Sequence, residues 1–163
     1  MLRRFADWKL AVALMGFLAL AGCTKKNTPN LDGSAGQAAP GSVGDFQTNV
    51  GDRIYFLVDQ STLTEEGQQT LTRQAAWLQQ YPNVTVQIEG HADERGTREY
   101  NIALSARRAT VTREFLTAQG IEAARVTTIA YGKERPVALC DAESCWAQNR
   151  RSVTVVTGGA TGG

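Results

Sequence analysis

Val84-Thr85-Val86-Gln87-Ile88 alternates apolar and polar residues, and Gly90-His91-Ala92-Asp93-Glu94-Arg95-Gly96-Thr97 comes one residue later. The first run has the period of a strand with one buried face. The second is polar and reads as a loop. A long helix is predicted from Arg98 to Gln119, and Gly120 supplies its stop. Upstream, Arg53-Ile54-Tyr55-Phe56-Leu57-Val58 is a strand-like run. Thr64 is placed to cap a helix, with Glu65 and Glu66 in the first turn where the helix dipole favours acids. Leu71, Ala75 and Leu78 then recur at helical spacing until Pro82-Asn83. Downstream, residues 125–130 and 151–156 read as two more strands, with Val153 and Val155 on one face of the last. The order βαβαβ with a final β predicts an α+β fold with its helices on one face of a mixed sheet.

The 163 residues suffice for one domain, and 42% hydrophobic with 20% charged residues is ordinary for a globular chain. The net charge of +1 gives no bulk attraction to nucleic acid. Residues 1–22 hold three of the 17 basic residues and one of the 16 acidic ones, so the chain from Cys23 onward is close to neutral.

Residues 1–22 read as a signal peptide. Arg3, Arg4 and Lys9 precede an apolar run from Leu10 to Leu20, broken only by Gly16. That run is short of the ~20 residues a membrane span needs. Leu20-Ala21-Gly22-Cys23 resembles the bacterial lipobox, in which the cysteine receives diacylglycerol and an N-acyl chain and becomes the mature N-terminus. Thr24 in place of Asp favours delivery to the outer membrane, as lipoproteins of that type imply. Residues 23–49 are expected to be the lipidated end and a flexible tether, rich in Gly, Ser, Ala, Pro, Asn and Thr. A tether of this kind averages roughly 25–30 Å end to end and reaches ~80–90 Å when straight. Order is expected near Asp52, in a domain spanning 50–157, with 158–163 a disordered tail.

Cys140 and Cys145 lie beyond the export signal, in an oxidising compartment. With no other mature thiol except the lipidated one, they are expected to pair. A redox switch or a metal site is the alternative, and the absence of a nearby His makes metal a poor fit.

Arg108 falls four residues after Leu104, beside the stripe that Leu104, Val111 and Phe115 form on the long helix. An arginine there needs an anionic partner or a route to water, whereas Arg107 is rotated away. Asp93 sits just past a strand end, where α/β proteins place ligand sites. Two readings are open. Asp93 and Arg108 could form an ion pair that locks the loop, or they could converge on a zwitterionic ligand, its carboxylate on the arginine fork and its ammonium on the aspartate.

The run from Gly90 through Ala109 resembles the signature of the OmpA-like peptidoglycan-binding domain family. Tyr131-Gly132-Lys133-Glu134-Arg135-Pro136 and Asn149-Arg150-Arg151 are similar to its later blocks, and the resemblance covers about residues 52–157. It implies an OmpA-like sandwich and a non-covalent site for the meso-diaminopimelate of the peptidoglycan stem. Asp93 and Arg108 match its ligand-binding positions; Arg95, Asn101, Leu104, Asp59 and Arg151 match further pocket positions. Phe56-Leu57-Val58-Asp59 departs from the family's Phe-Asp-Phe-Asp, which puts the wall near Val58 in question but leaves Asp59 in place. With the lipobox and tether, the resemblance implies an outer-membrane lipoprotein with its domain in the periplasm. It further implies Tol-type periplasmic and inner-membrane partners, one of which competes for the domain, and a part in envelope integrity and constriction at division. The alternative is a structural envelope lipoprotein that acts through protein contacts and keeps a vestigial pocket.

An enzyme is the rival from another class. His91, the only histidine, lies beside Asp93. No Ser or Cys nucleophile and no second carboxylate is arranged around it, so no catalytic residues, cofactor or metal are expected. His91 is expected to pack or hydrogen-bond at the strand end.

Overall fold

The computed structural model describes residues 38–161. The signal peptide, Cys23 and most of the expected tether lie outside the described residues, as do residues 162 and 163. The strands are β1 (Arg53–Tyr55), β2 (Thr85–Gly90), β3 (Val126–Ala130) and β4 (Arg151–Gly158). The α-helices are α1 (Val43–Asp45), α2 (Glu65–Gln80), α3 (Arg98–Ala118) and α4 (Glu143–Asn149).

One four-stranded mixed sheet runs in the order β1-β4-β2-β3. β2 and β3 are parallel, joined through α3, and β4 is antiparallel to both β1 and β2. This is the α+β arrangement expected from the order of elements. Along β2, Val86, Ile88 and Gly90 are buried while Thr85 is exposed. α2 and α3 cover that face, and Val86, Ile88, Leu71, Leu78, Ala109 and Leu116 share one core. Burying each large aliphatic chain there contributes about 1.5–3 kcal/mol. Thr64 caps α2 by accepting from the Gly67 amide at 3.0 Å, and Thr97 caps α3 by accepting from Tyr100.

Three local expectations need correction: where order begins, where β1 stops and how far the C-terminal segment is ordered. Order begins before Asp52. α1 runs into a π-helical segment, Phe46–Gly51, and Phe46 is fully buried against Trp77 with ring centroids 4.9 Å apart. Phe46 and the partly buried Val50 anchor this stretch to α2, and Gln74 and Trp77 add hydrogen bonds to Gly51 O and Asp45. β1 stops at Tyr55, so Leu57 and Val58 lie outside the sheet and are exposed. β4 turns Ser152 and Thr154 to the buried face and leaves Val155 exposed; Thr154 Oγ1 donates to Gln74 Oε1 at 2.8 Å, which satisfies the buried hydroxyl. The expected tail is ordered as far as Thr161, whose amide and hydroxyl donate to the Gly41 and Pro40 carbonyls.

α4 was not anticipated. It is preceded by Cys140, whose disulfide to Cys145 the structure contains with Cα atoms 5.7 Å apart. Asn149 fastens the other end of the helix, accepting from the Val137 and Ala138 amides and donating to the Ala138 carbonyl.

Candidate functional site

Gly90 ends β2 against α3. A Cβ at this position would lie 1.9 Å from the Ser105 carbonyl oxygen, so only glycine permits the approach. The loop after it is fastened from the side. The Ala92 amide donates to Gly132 O, and Gly132 N donates to Ser105 Oγ. Lys133 Nζ donates to the Glu94 and Gly96 carbonyls at 3.0 and 2.8 Å. The block at residues 131–136 is therefore a brace for the loop that carries Asp93.

α3 delivers Arg108 to the floor of the site. Its buried face consists of Asn101, Leu104, Ser105, Arg108, Ala109, Thr112 and Leu116, while Val111 and Phe115 are only partly buried. Arg108 thus lies within the buried face rather than at the edge of an apolar stripe, and it is 1% exposed. Its guanidinium donates to three main-chain carbonyls: Gln60 at 2.8 Å, His91 at 2.9 Å and Leu57 at 3.2 Å. No carboxylate of the described residues pairs with it directly. Burial pulls its pKa down to about 10, and the charges of Asp93 and Asp59 oppose that pull.

Asp93 has other partners. Arg95 donates to it through its amide, Nε and Nη2, the last at 2.6 Å, and Arg150 Nη1 donates at 3.3 Å. Burial raises the Asp93 pKa, but the Arg95 and Arg150 hydrogen bonds outweigh it and hold the carboxyl ionised below its ordinary range. The locking Asp93–Arg108 ion pair considered from the spacing is absent, and the two groups face a common space instead.

That space is a cleft of about 270 Å³ lined by Val58, Asp59, Asp93, Arg95, Gly96, Tyr100, Asn101, Leu104 and Arg108. It brings together six of the seven residues singled out from the sequence. Asn101 is buried and donates to the Arg95 carbonyl at 2.8 Å, fixing the loop. Leu104 forms an apolar wall. Asp59 is the one non-glycine residue with positive φ (58°) among the described residues, and its side chain makes no hydrogen bond in the fold. A strained carboxylate held at a cleft mouth is a common mark of a ligand site. The wall at Val58, in question from the departing motif, is present.

Arg151 does not line the cleft. Its buried side chain donates to the carbonyls of Asn149 and Arg135. The neighbouring Arg150 does reach the site, joining Asp93 to Glu143. The sequence motif contains both arginines, and nothing in it says which one turns inward.

His91 is buried as expected but unpaired. Its ring lies 5.4 Å from that of Tyr131, and neither nitrogen has a hydrogen-bond partner. Glu89 Oε2 comes within 3.5 Å of Nε2. That contact would favour the charged ring, yet it is not aligned as a hydrogen bond. Burial, with Arg151 and Arg135 nearby, prevails and pulls the pKa down to about 4. The imidazole therefore stays neutral at pH 7. Among the described residues no cluster of His, Cys, Asp or Glu could hold a metal ion.

The cleft carries two carboxylates, Asp59 and Asp93, against two guanidinium groups, Arg95 and Arg108. It is neutral in sum and polarised within, which suits a zwitterion. Residues 55–150 match the model of the OmpA family. A peptidoglycan-associated lipoprotein of Brucella melitensis is 58% identical over 154 residues, covering 91% of this chain and 92% of the relative. The chain belongs to the OmpA family. A peptidoglycan-associated lipoprotein of Agrobacterium fabrum is 56% identical over 163 residues, covering 96% and 92% of the two chains. The crystal structure of the peptidoglycan-associated lipoprotein from Burkholderia pseudomallei superposes with a TM-score of 0.64 at 39% identity, covering 65% of this chain and 90% of that one. The C-terminal domain of Helicobacter pylori MotB shares the fold, with a TM-score of 0.61 at 20% identity. The OmpA-family match takes in β2, β3, α2 to α4 and every residue lining the cleft, and it ends where β4 begins.

Proposed function

We propose that the cleft binds the meso-diaminopimelate of a peptidoglycan stem without covalent linkage. The observation that carries this reading is Arg108: a buried guanidinium with no ion-pair partner among the described residues, opposite two carboxylates. Its three carbonyl partners leave two of its five N–H groups for a ligand carboxylate. Asp59, with free acceptor oxygens, and Asp93 then receive the ligand ammonium. Leu104 and Tyr100 flank the methylene chain. The relatives named as peptidoglycan-associated lipoproteins support peptidoglycan as the polymer bound. The chain acts by binding and not by catalysis.

With Cys23 lipidated, the protein ties the outer membrane to the wall from the periplasmic side. The segment between Cys23 and the folded domain gives the attachment slack. Such a link is reversible, which suits an envelope that must constrict at division. A Tol-type periplasmic protein would compete for the same domain. The test is co-sedimentation of the purified protein with sacculi, comparing wild type with Asp93→Ala, Arg108→Ala and Asp59→Asn. Each variant is expected to reduce binding. Undiminished binding in all three would refute the site and leave a lipoprotein that acts through protein contacts alone. Competition is checked by adding the Tol partner, and a ternary complex with sacculi would refute it.

A further inference from the structure

The segment from residue 137 to 150 meets the cleft on the outer side of Arg95. Trp146 of α4 lies under the Arg95 guanidinium, 4.3 Å from ring centroid to Cζ. Trp146 Nε1 donates to Glu94 Oε1 at 2.7 Å. Glu143, one turn earlier, lies 4.0 Å from Arg95 Nη2 and also binds Arg150. Arg95 is 40% exposed at its side chain. Left alone, so long and exposed a chain would sample many rotamers. Here Asp93 holds it on the inner side, Trp146 beneath and Glu143 beyond. Trp146 and Glu143 do not line the cleft.

α4 is poorly suited to form unaided. It has seven residues, and Ala142 at its N-cap offers no side-chain acceptor. The disulfide supplies what the helix lacks by joining Cys140 to Cys145 across its first turn, one residue from Trp146. Asn149 fastens the far end. None of these residues belongs to the hydrophobic core. The staple thus lies outside the apolar core and next to the residue that stacks on Arg95.

We propose that the stapled α4 is a positioning device for the cleft, in which Trp146, held by the Cys140–Cys145 disulfide, fixes the guanidinium of Arg95 for the ligand. This rests on the cleft being the stem-peptide site. Binding of a soluble muropeptide carrying a meso-diaminopimelate stem is measured by calorimetry on the detergent-purified full chain. Trp146→Ala and the pair Cys140→Ser/Cys145→Ser are each expected to weaken binding roughly three- to thirty-fold, the range of a cation–π contact with its adjacent hydrogen bond. Trp146→Phe, which keeps an aromatic face, restores most of the loss. In an Arg95→Lys background, which keeps the charge but not the planar stacking group, Trp146→Ala has little further effect. Thermal melting shows the core of each variant intact. Unchanged affinity in Trp146→Ala overturns the proposal, and so does an equal loss in the Arg95→Lys background. Binding that survives Asp93→Ala overturns the cleft itself, and the positioning role with it; a loss in Asp93→Ala but none in Trp146→Ala overturns only the positioning role.

Discussion

Arg108 Nη1 donates to the main-chain carbonyl of His91 at 2.9 Å. The bond joins the middle of α3 to the residue just after β2. The same guanidinium holds the Leu57 and Gln60 carbonyls beyond β1. One side chain thus ties three backbone segments around the cleft. That structural role is shown by the three hydrogen bonds, and the proposed ligand-binding role would fall on the same group.

This sharing determines what Arg108 variants report. Arg108→Ala leaves three carbonyls without their donor in a buried place, at a cost of roughly 3 kcal/mol or more. The variant is expected to melt well below wild type and to lose sacculus binding for both reasons. Asp59→Asn separates them. Asn tolerates a left-handed backbone, and the Asp59 side chain makes no hydrogen bond to any of the described residues. The expected outcome is an unchanged melting temperature with weakened binding. A melting temperature that falls as far as that of Arg108→Ala would show Asp59 to be part of the scaffold.

Gly90→Ala tests the contact that sets α3 against β2. The new methyl would meet the Ser105 carbonyl at 1.9 Å, and backbone cannot swing aside as a side chain can. Overpacking of this kind costs roughly 3 kcal/mol. Because Ser105 Oγ also holds Gly132, the brace beneath the Asp93 loop should loosen with it. Urea unfolding should show the midpoint shift and sacculus binding should fall. A midpoint within error of wild type would show that α3 can move away freely.

The sequence made some of this architecture legible through local chemistry. Thr64 is a helix cap by residue type, β2 alternates, and Arg108 is conspicuous because a cation sits where apolar residues recur. The missed features have no such local signal. α4 lacks apolar periodicity and is held by a disulfide and by Asn149. Arg150, not Arg151, reaches Asp93 at the back of the cleft, and the motif contains both. The buried face of β4 carries Ser152 and Thr154; Gln74 comes from another element to meet Thr154, whereas the Ser152 hydroxyl has no partner among the described residues. The N-terminal segment folds around one aromatic, Phe46, whose pocket belongs to α2.

That pocket gives a prediction about where the domain begins. Phe46 is fully buried, and Trp77 both packs on it and donates to Asp45 Oδ2 at 2.8 Å. Phe46→Ala should destabilise by roughly 3–5 kcal/mol. A fragment starting at residue 52 should melt at a lower temperature than one starting at residue 38, and should expose Trp77 to quenching by acrylamide. Equal melting temperatures would place residues 38–51 back in the tether.

His91 should make stability depend on pH over a window of its own. In the folded protein its pKa is pulled down to about 4 by burial, then by Arg151 and Arg135; in the unfolded chain it returns to the ordinary 6.5. Between those values the unfolded chain binds a proton that the folded one does not. The contribution of neutral His91 is therefore complete above pH 6.5, declines as pH falls towards 4, and changes no further below that. Its full size is on the order of 3 kcal/mol. Tyr131, Glu89, Arg135 and Arg151 face the ring, and only Glu89 would favour its protonation. Asp93 acts lower down. Its pKa is held below 3.8 by Arg95 and Arg150 against the opposing effect of burial, so its contribution is lost only as pH falls through that depressed value. Denaturant unfolding at pH 7 and pH 5 should show a loss for wild type that is much smaller in His91→Phe, where nothing titrates at the site. Parallel losses in the two proteins would show that the pH response originates elsewhere.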